Sequence, residues 1–255
     1  METSISTEGQ IEEALDFIIN LDIEKPWTSL KKVNDGIPVP MDNNKAGFIN
    51  DGSLICFVDG LSPQRKKAVL NSCLLAQLAA NKLASRWQAA DVWYHHYTGI
   101  LRMIGWTIDD CIFTKFEPTE RTIILQSVVL KELSATVSGR EILLLQESMD
   151  KLYNLQNNDR RLVLFDTQTQ ALGRGNFQVC TVNTDAGKMI MNFGGFSFSA
   201  MGTKTRLLWH GYNARHTEVW HSIQRATLDE EIYSAVSEAI NDKLEDSTLI
   251  YTGNL

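Results

Sequence analysis

Five histidines and four cysteines are the side chains of this sequence best suited to acid–base, metal or nucleophilic chemistry. His95 and His96 are adjacent in a predicted helix, so their side chains diverge by about 100° and do not readily share one mononuclear site. His210 and His221 fall on neighbouring predicted strands joined near His216. Certain registers put both on one face with Glu218 close by, the arrangement a hydrolase or metalloenzyme would need. The alternative is a pair of half-exposed strand histidines. The cysteines, at 56, 73, 111 and 180, show neither CxxC spacing nor a histidine at zinc-finger distance, which fits a reduced compartment and gives no metal ligand set.

Cys180 stands apart by context. In Phe177-Gln178-Val179-Cys180-Thr181-Val182, period-two alternation places it on the face opposite Val179, together with Gln178 and Val182. If that face meets central helices, the thiol points into the most apolar volume of the protein. It is then either a small buried hydrophobe or a covalent anchor for an acyl chain, each methylene of which gains about 0.8 kcal/mol on burial. Such a chain would reach a membrane only after the fold opened.

Motif logic adds no catalytic residue. The sequence contains no GxSxG elbow, HExxH, P-loop or nucleotide fingerprint, and Gly173-Arg174-Gly175 lacks the strand-to-helix context of one. Gly194-Gly195 inside a predicted strand suggests a bulge or a close backbone approach. Phe196, Phe198, Trp209 and Trp220 read as cover for a core rather than as a binding surface.

The elements that must position these residues are read from periodicity. Thr7 and Gln10 have capping-box spacing, and Ile11, Leu15, Ile18 and Ile19 stripe a first helix. Residues 24–51, rich in Pro, Gly and Asn, read as a long irregular connection. A strand over Ser53–Val58 follows, then a helix opened by Ser62 and Pro63, then an aromatic helix over Asp91–Ile104. Trp106–Phe116 reads as a strand. From Thr122 the apolar residues fall nearly all round a helical wheel, predicting a buried central helix; Gly139 is placed as its left-handed end, and Arg140–Asn157 as its partner. Strands are predicted at Leu162–Phe165, Asn176–Thr184, Met189–Ser199, Thr205–Tyr212 and Thr217–Ala226, with Asp185–Lys188 as a hairpin turn. Asp229 caps a last helix to about Leu244, and Leu249–Tyr251 adds an edge strand. The expected fold is one α+β domain over residues 1–255: an antiparallel meander, hydrophobic on one face, packed on the central helix pair, with further helices in the N-terminal half and at the C-terminus.

Composition sets bounds. With 44% hydrophobic and 22% charged residues, a chain of 255 residues builds a large core without disulfides or metal. A net charge of −7 disfavours nucleic acid or anionic lipid as general partners, and only Arg65-Lys66-Lys67 approaches a basic patch. The N-terminal stretch has no basic n-region, and no apolar run nears the roughly 18 residues of a membrane span. The expected location is the cytoplasm of the producing cell, with any export independent of a cleaved signal.

Four blocks carry a family resemblance: Asn71 to Lys82 (NSCLLAQLAANK), Gly105-Trp106 opening a strand, Arg161 to Asp166 (RLVLFD), and Gly175 to Gln178 (GNFQ). Over about residues 50–250 the chain resembles small bacterial proteins of the Erwinia virulence factor type. That resemblance implies an α/β protein with no catalytic constellation, associated with host colonisation or toxicity, and carrying a palmitoyl group in thioester linkage on an internal cysteine. Cys180 is the position carried over, with Cys73 and Cys111 as rivals. The resulting expectation is a virulence-associated, effector-like protein that holds a fatty acyl chain and needs no other cofactor. The alternatives are a non-lipidated interaction module or toxin component with a host or bacterial protein partner, and the hydrolase or metalloenzyme built on His210, Glu218 and His221.

Overall fold

The computed structural model describes residues 7–25, 46–202, 204–245 and 247–255. Helix α1 (Thr7–Asn20) buries Ala14 and Ile18 and leaves Ile19 in solvent, so its stripe is narrower than expected. Of the segment expected to be irregular, residues 26–45 lie outside the described residues, and its end is ordered. Strand β1 (Gly47–Asn50) forms a tight hairpin with β2 (Ser53–Phe57), every residue of both being buried. Helix α2 (Pro63–Leu83) starts as the sequence predicts: the Ser62 side chain accepts from the Arg65 amide at 3.3 Å, and Pro63 takes the first helical position. Helix α3 (Ala90–Met103) follows, and the chain turns out of it at Gly105 (φ +98°).

The helix buried on all sides is α2, not the segment after Thr122. Every residue from Ala68 to Ala80 is buried, because alanine, serine and cysteine on its less apolar sides let neighbours close in. Its polar residues are bonded inside the protein: Asn71 donates to Asn241 Oδ1 at 2.8 Å, and Gln77 Nε2 donates to the Asn50 carbonyl at 3.1 Å. The expected strand at 106–116 survives as two short pieces, β3 (Trp106–Thr107) and β4 (Thr114–Lys115). Arg102 draws the intervening chain off the sheet edge by donating to the Ile108 carbonyl and the Asp110 carboxylate, both at 2.7 Å, and Ile112 is left 80% exposed.

After β5 (Thr122–Ile124) the expected central helix is only α4 (Leu125–Leu133). Gly139 does not end it in a left-handed turn. It is instead the first residue of α5 (Gly139–Tyr153), where Ser138 and Glu141 make a reciprocal capping box. Leu145, Met149 and Leu152 face inward while Leu143 is 62% exposed, so this pair packs on one side only. Leu162–Phe165, expected as a strand, lies within helix α6 (Arg160–Thr169). Asp159 accepts from the Arg161 amide at 2.9 Å and grips its guanidinium, and this cap decides between the two readings of a short apolar run.

The remaining elements are β6 (Gln170–Ala171), β7 (Arg174–Asp185), β8 (Lys188–Ser199), β9 (Gly211–Asn213), β10 (Glu218–Leu228), α7 (Glu230–Leu244), the short helix α8 (Ser247–Tyr251) and β11 (Thr252–Asn254). Asp229 caps α7 as expected, accepting from the Glu231 and Ile232 amides. The edge strand near the C-terminus falls at β11 rather than at Leu249–Tyr251. The strand expected at Thr205–Tyr212 is absent from the main sheet. Arg206 (φ +56°) donates to the Tyr153 and Leu155 carbonyls, and Asp166 accepts from its amide, so the segment is held against α5 and α6. Its end, β9, pairs with β5 in a separate two-stranded ribbon.

The main sheet runs β11-β1-β2-β7-β8-β10-β3, with β4 also on β10 and β6 on β7. The α+β class holds, and pairing is antiparallel except between β2 and β7, which run parallel and break the expected meander. A second correction matters more: the sheet is buried on both faces. Gln178, Cys180, Met191 and Phe193 face α2 and α3, backed by α1 and α7, while Phe177, Thr181, Asn192 and Phe196 face α4, α5 and α6. Burial on both sides explains the near-continuous apolar runs in β7 and β8.

On the second face, Glu141 is 4% exposed and joins α5 to the sheet. Its Oε1 accepts from Thr181 Oγ1 at 2.7 Å, Asn192 Nδ2 at 2.9 Å and Asn183 Nδ2 at 3.0 Å, and its Oε2 accepts from the Ser138 amide and hydroxyl. Burial pushes the carboxyl up, but these hydrogen bonds outweigh it and leave it below the ordinary glutamate range. A carboxyl lowered by folding contributes stability that is complete above its unfolded value, about 4.3, and is lost as pH falls through the lower folded value. Glu141→Gln is therefore expected to cost about 1–3 kcal/mol at pH 7 by urea unfolding, with the difference from the parent shrinking below about pH 4. A difference independent of pH would show that the charge is not what matters. At the β7–β8 turn, Ala186 has φ +48° and precedes Gly187 at +82°, so Ala186→Asn is expected to raise the unfolding midpoint by the equivalent of about 0.5–1 kcal/mol.

Candidate functional site

Cys180 sits in the middle of β7, opposite Ile55 of β2 and Phe193 of β8, and is fully buried. It faces α2 and α3 rather than the helix pair expected to cover it. Across from it in the same layer are Cys73 of α2 and Tyr97 of α3, whose hydroxyl lies against the Cys73 thiol. Cys73 Sγ also contacts Met191 Sδ at 3.8 Å, and the Tyr97 ring stacks on Phe193 at 5.4 Å and on Trp93 at 5.3 Å. The lining is thus two thiols, a thioether and stacked aromatic rings, a surface rich in polarizable side chains.

Protonation decides what these thiols can do. Burial holds Cys180 well above the ordinary thiol value, and the neighbouring Cys73 and Cys56 thiols act in the same direction. Burial pushes Cys73 up to about 12, and the adjacent Tyr97 hydroxyl acts in the opposite direction without cancelling it. Cys56 lies on the other face against Ser148 and is pushed up to about 12 by burial, as is the partly exposed Cys111 beside Ser222. Since the thiolate is the nucleophile, none of the four reacts readily in the closed fold. Clefts lined by Arg86, by Ile18, by Phe17, by Asp166 and by Tyr233 are all free of cysteine.

The histidines do not gather. His210 packs edge-on to Tyr212 at 4.9 Å on the ribbon side, whereas β10 pairs directly with β8 and carries His221 beneath Glu132 of α4, with Nε2 to Oε2 at 3.6 Å. Glu218 is engaged by Lys115 at 2.6 Å. The expected trio thus becomes three separate local pairs, and among the described residues no group of three or more His, Cys, Asp or Glu side chains could hold a metal ion. Gly194 and Gly195 form no bulge, since both stay in register with β7 and β10. Their missing side chains admit protein: a Cβ at Gly195 would lie 2.9 Å from the Tyr94 ring, and one at Gly194 would lie 3.3 Å from Leu133.

Polar groups that periodicity did not single out occupy the first face. Gln178 Nε2 donates to Tyr94 Oη and Asn176 Oδ1, both at 2.9 Å, and its Oε1 accepts from Ser53 at 2.9 Å. Asn176 donates to the Arg86 carbonyl at 3.2 Å, and the Arg86 guanidinium pairs with Asp51 at 2.8 Å. Burial raises the Asp51 carboxyl and Arg86 pulls it back. The one sequence signal for this pair was the Asp51-Gly52 dipeptide, a hairpin turn that here takes Asp51 to φ +52°.

Among the described residues no helix is long and apolar enough to cross a membrane. No family model matches the sequence, and no curated protein matches it. Solved structures do. The chain is similar to a delta-endotoxin at 11% identity and a TM-score of 0.40, over 81% of this chain and 89% of that one. It is similar to the activated Cyt2Ba monomer from Bacillus thuringiensis subsp. israelensis at 9% identity and 0.36, over 70% and 97%. It also has a weak likeness to the Evf virulence factor, at 11% identity and a TM-score of 0.38, over 87% of each chain.

Proposed function

We propose that this chain is a virulence-associated, effector-like protein that holds a fatty acyl chain as a thioester on Cys180, between the sheet and the α2–α3 layer. The observation that supports this reading is the environment of Cys180: a buried thiol at the centre of the sheet, facing a second thiol, a thioether and aromatic rings. Two of the blocks that carry the resemblance to virulence factors of the Erwinia type lie in this same layer and its neighbours, at Asn71–Lys82 on α2 and Gly175–Gln178 on β7.

The chemistry requires a thiolate, and the closed fold suppresses it. Acylation therefore belongs to a chain whose helical layer has not docked on the sheet. There the Cys180 thiolate attacks the carbonyl of an activated acyl donor; the new S–C bond forms as the bond to the donor's leaving group breaks, and the leaving group takes the electron pair. Docking then encloses the chain, each methylene contributing about 0.8 kcal/mol. Release to a membrane requires the layer to separate again.

The intact mass of the protein from its native host, taken before and after neutral hydroxylamine, tests this. The expected result is a mass excess that hydroxylamine removes and that Cys180→Ala abolishes, while Cys73→Ala and Cys111→Ala retain it. An unmodified parent mass, or an excess that persists in Cys180→Ala, overturns the assignment.

A further inference from the structure

The Asp51–Arg86 pair is only half used. Arg86 is 4% exposed and gives Asp51 one hydrogen bond, from Nη1 to Oδ2. Among the described residues its Nε and Nη2 have no hydrogen-bond partner, and neither has Asp51 Oδ1. Nε and Nη2 are the side-on fork of a guanidinium, the edge whose two parallel N–H groups match a carboxylate. Buried forks of this kind are costly to leave unmatched.

Arg86 is among the residues that line a cleft of about 790 Å³ between the C-terminal end of α2 and α6, with Nε and Nη2 themselves covered in the closed arrangement. Gly52 packs closely on this edge: a Cβ there would lie 2.5 Å from Nη2 and 3.0 Å from the carbonyl oxygen of Gln168, a cleft residue, so only glycine leaves the guanidinium its place. The guanidinium is held in place by Trp93, whose ring is 4.7 Å from its central carbon, and by Trp87 at 5.4 Å. Further out the wall is apolar, with Leu83, 56% exposed, Trp87, Val163 and Ala171. Charge limits what enters. Glu24 also lines the cleft, held by Asn81 at 2.7 Å, and with Asp51 it opposes a polyanion, while Lys82 at the rim is already paired with Asp22 at 3.0 Å.

From this geometry we infer that the cleft binds a small monocarboxylate with an apolar body, its carboxylate bridging Nε and Nη2 of Arg86 and its body lying on Leu83, Val163 and Ala171. This site is separate from the Cys180 layer and does not depend on acylation. Trp87 packs between ring contact with the guanidinium and the cleft lining, so a ligand reaching the fork must displace it, and tryptophan fluorescence should report the event.

Calorimetric titration of the full chain with octanoate, and with octanamide as its neutral counterpart, tests the inference. Octanoate is expected to bind at least about tenfold tighter than octanamide, the discrimination set by charge-assisted hydrogen bonds. Arg86→Lys keeps a cation for Asp51 but has no fork, and is expected to lose about tenfold or more in octanoate affinity. If Arg86→Lys does not fold, Ala171→Trp decides: it fills the cleft and should abolish octanoate binding while the melting transition stays cooperative. Absence of octanoate binding, equal affinity for the two ligands, or undiminished binding by Ala171→Trp overturns the proposal.

Discussion

The structure depends on burying the β7–β8 hairpin on both faces. A strand with one wet face can send half its side chains to water; these two cannot, so every polar group they carry must be matched by protein. On one face that constraint produces Glu141, a carboxylate fixed between its own helix cap and three sheet donors. On the other it produces the chain from Ser53 through Gln178 to Tyr94 and Asn176, ending at the backbone of Arg86. Even the glycines obey it, since Gly194 and Gly195 let the helical layers close onto the centre of the sheet.

The same burial gives Cys180 its character. A thiol in that position is inert while the layers are together, because desolvation opposes its ionisation and no opposite charge compensates. An acyl group placed there would be protected by the barrier that prevents its attachment to the closed form. Storage of an apolar chain and its release thus become one question of layer separation. The Arg86 cleft lies beyond the C-terminal end of α2, and its chemistry is ionic rather than apolar.

Much of this was legible in the residues. The caps at Ser62 and Asp229, the turn at Asp185–Lys188 and the hairpin it joins follow from local chemistry and stand where it puts them. Hydrophobicity alone points to Thr122–Val137 as the central helix, since it is richer in large apolar residues, yet the small side chains of α2 allow closer packing on every side. Leu162–Phe165 was ambiguous by length, and an aspartate cap with its arginine resolved it toward helix. The Asp51–Arg86 pair leaves no local pattern beyond the Asp51-Gly52 turn, since its partners are 35 residues apart and meet only through the β1–β2 turn and the end of α2. The histidine trio failed for a topological reason: it required Thr205–Tyr212 to be a sheet strand, and Arg206 ties that segment to helix ends instead.

The central claim is that the α2–α3 layer can part from the sheet without unfolding of the whole molecule. Native-state thiol labelling, followed residue by residue, tests it most directly because the cysteines divide between the faces: Cys73 and Cys180 on the α2–α3 side, and Cys56 against α5. The account predicts that Cys73 and Cys180 are labelled together, at a free energy below that of global unfolding, while Cys56 remains protected. Labelling of all three in a single step that tracks global unfolding would contradict it.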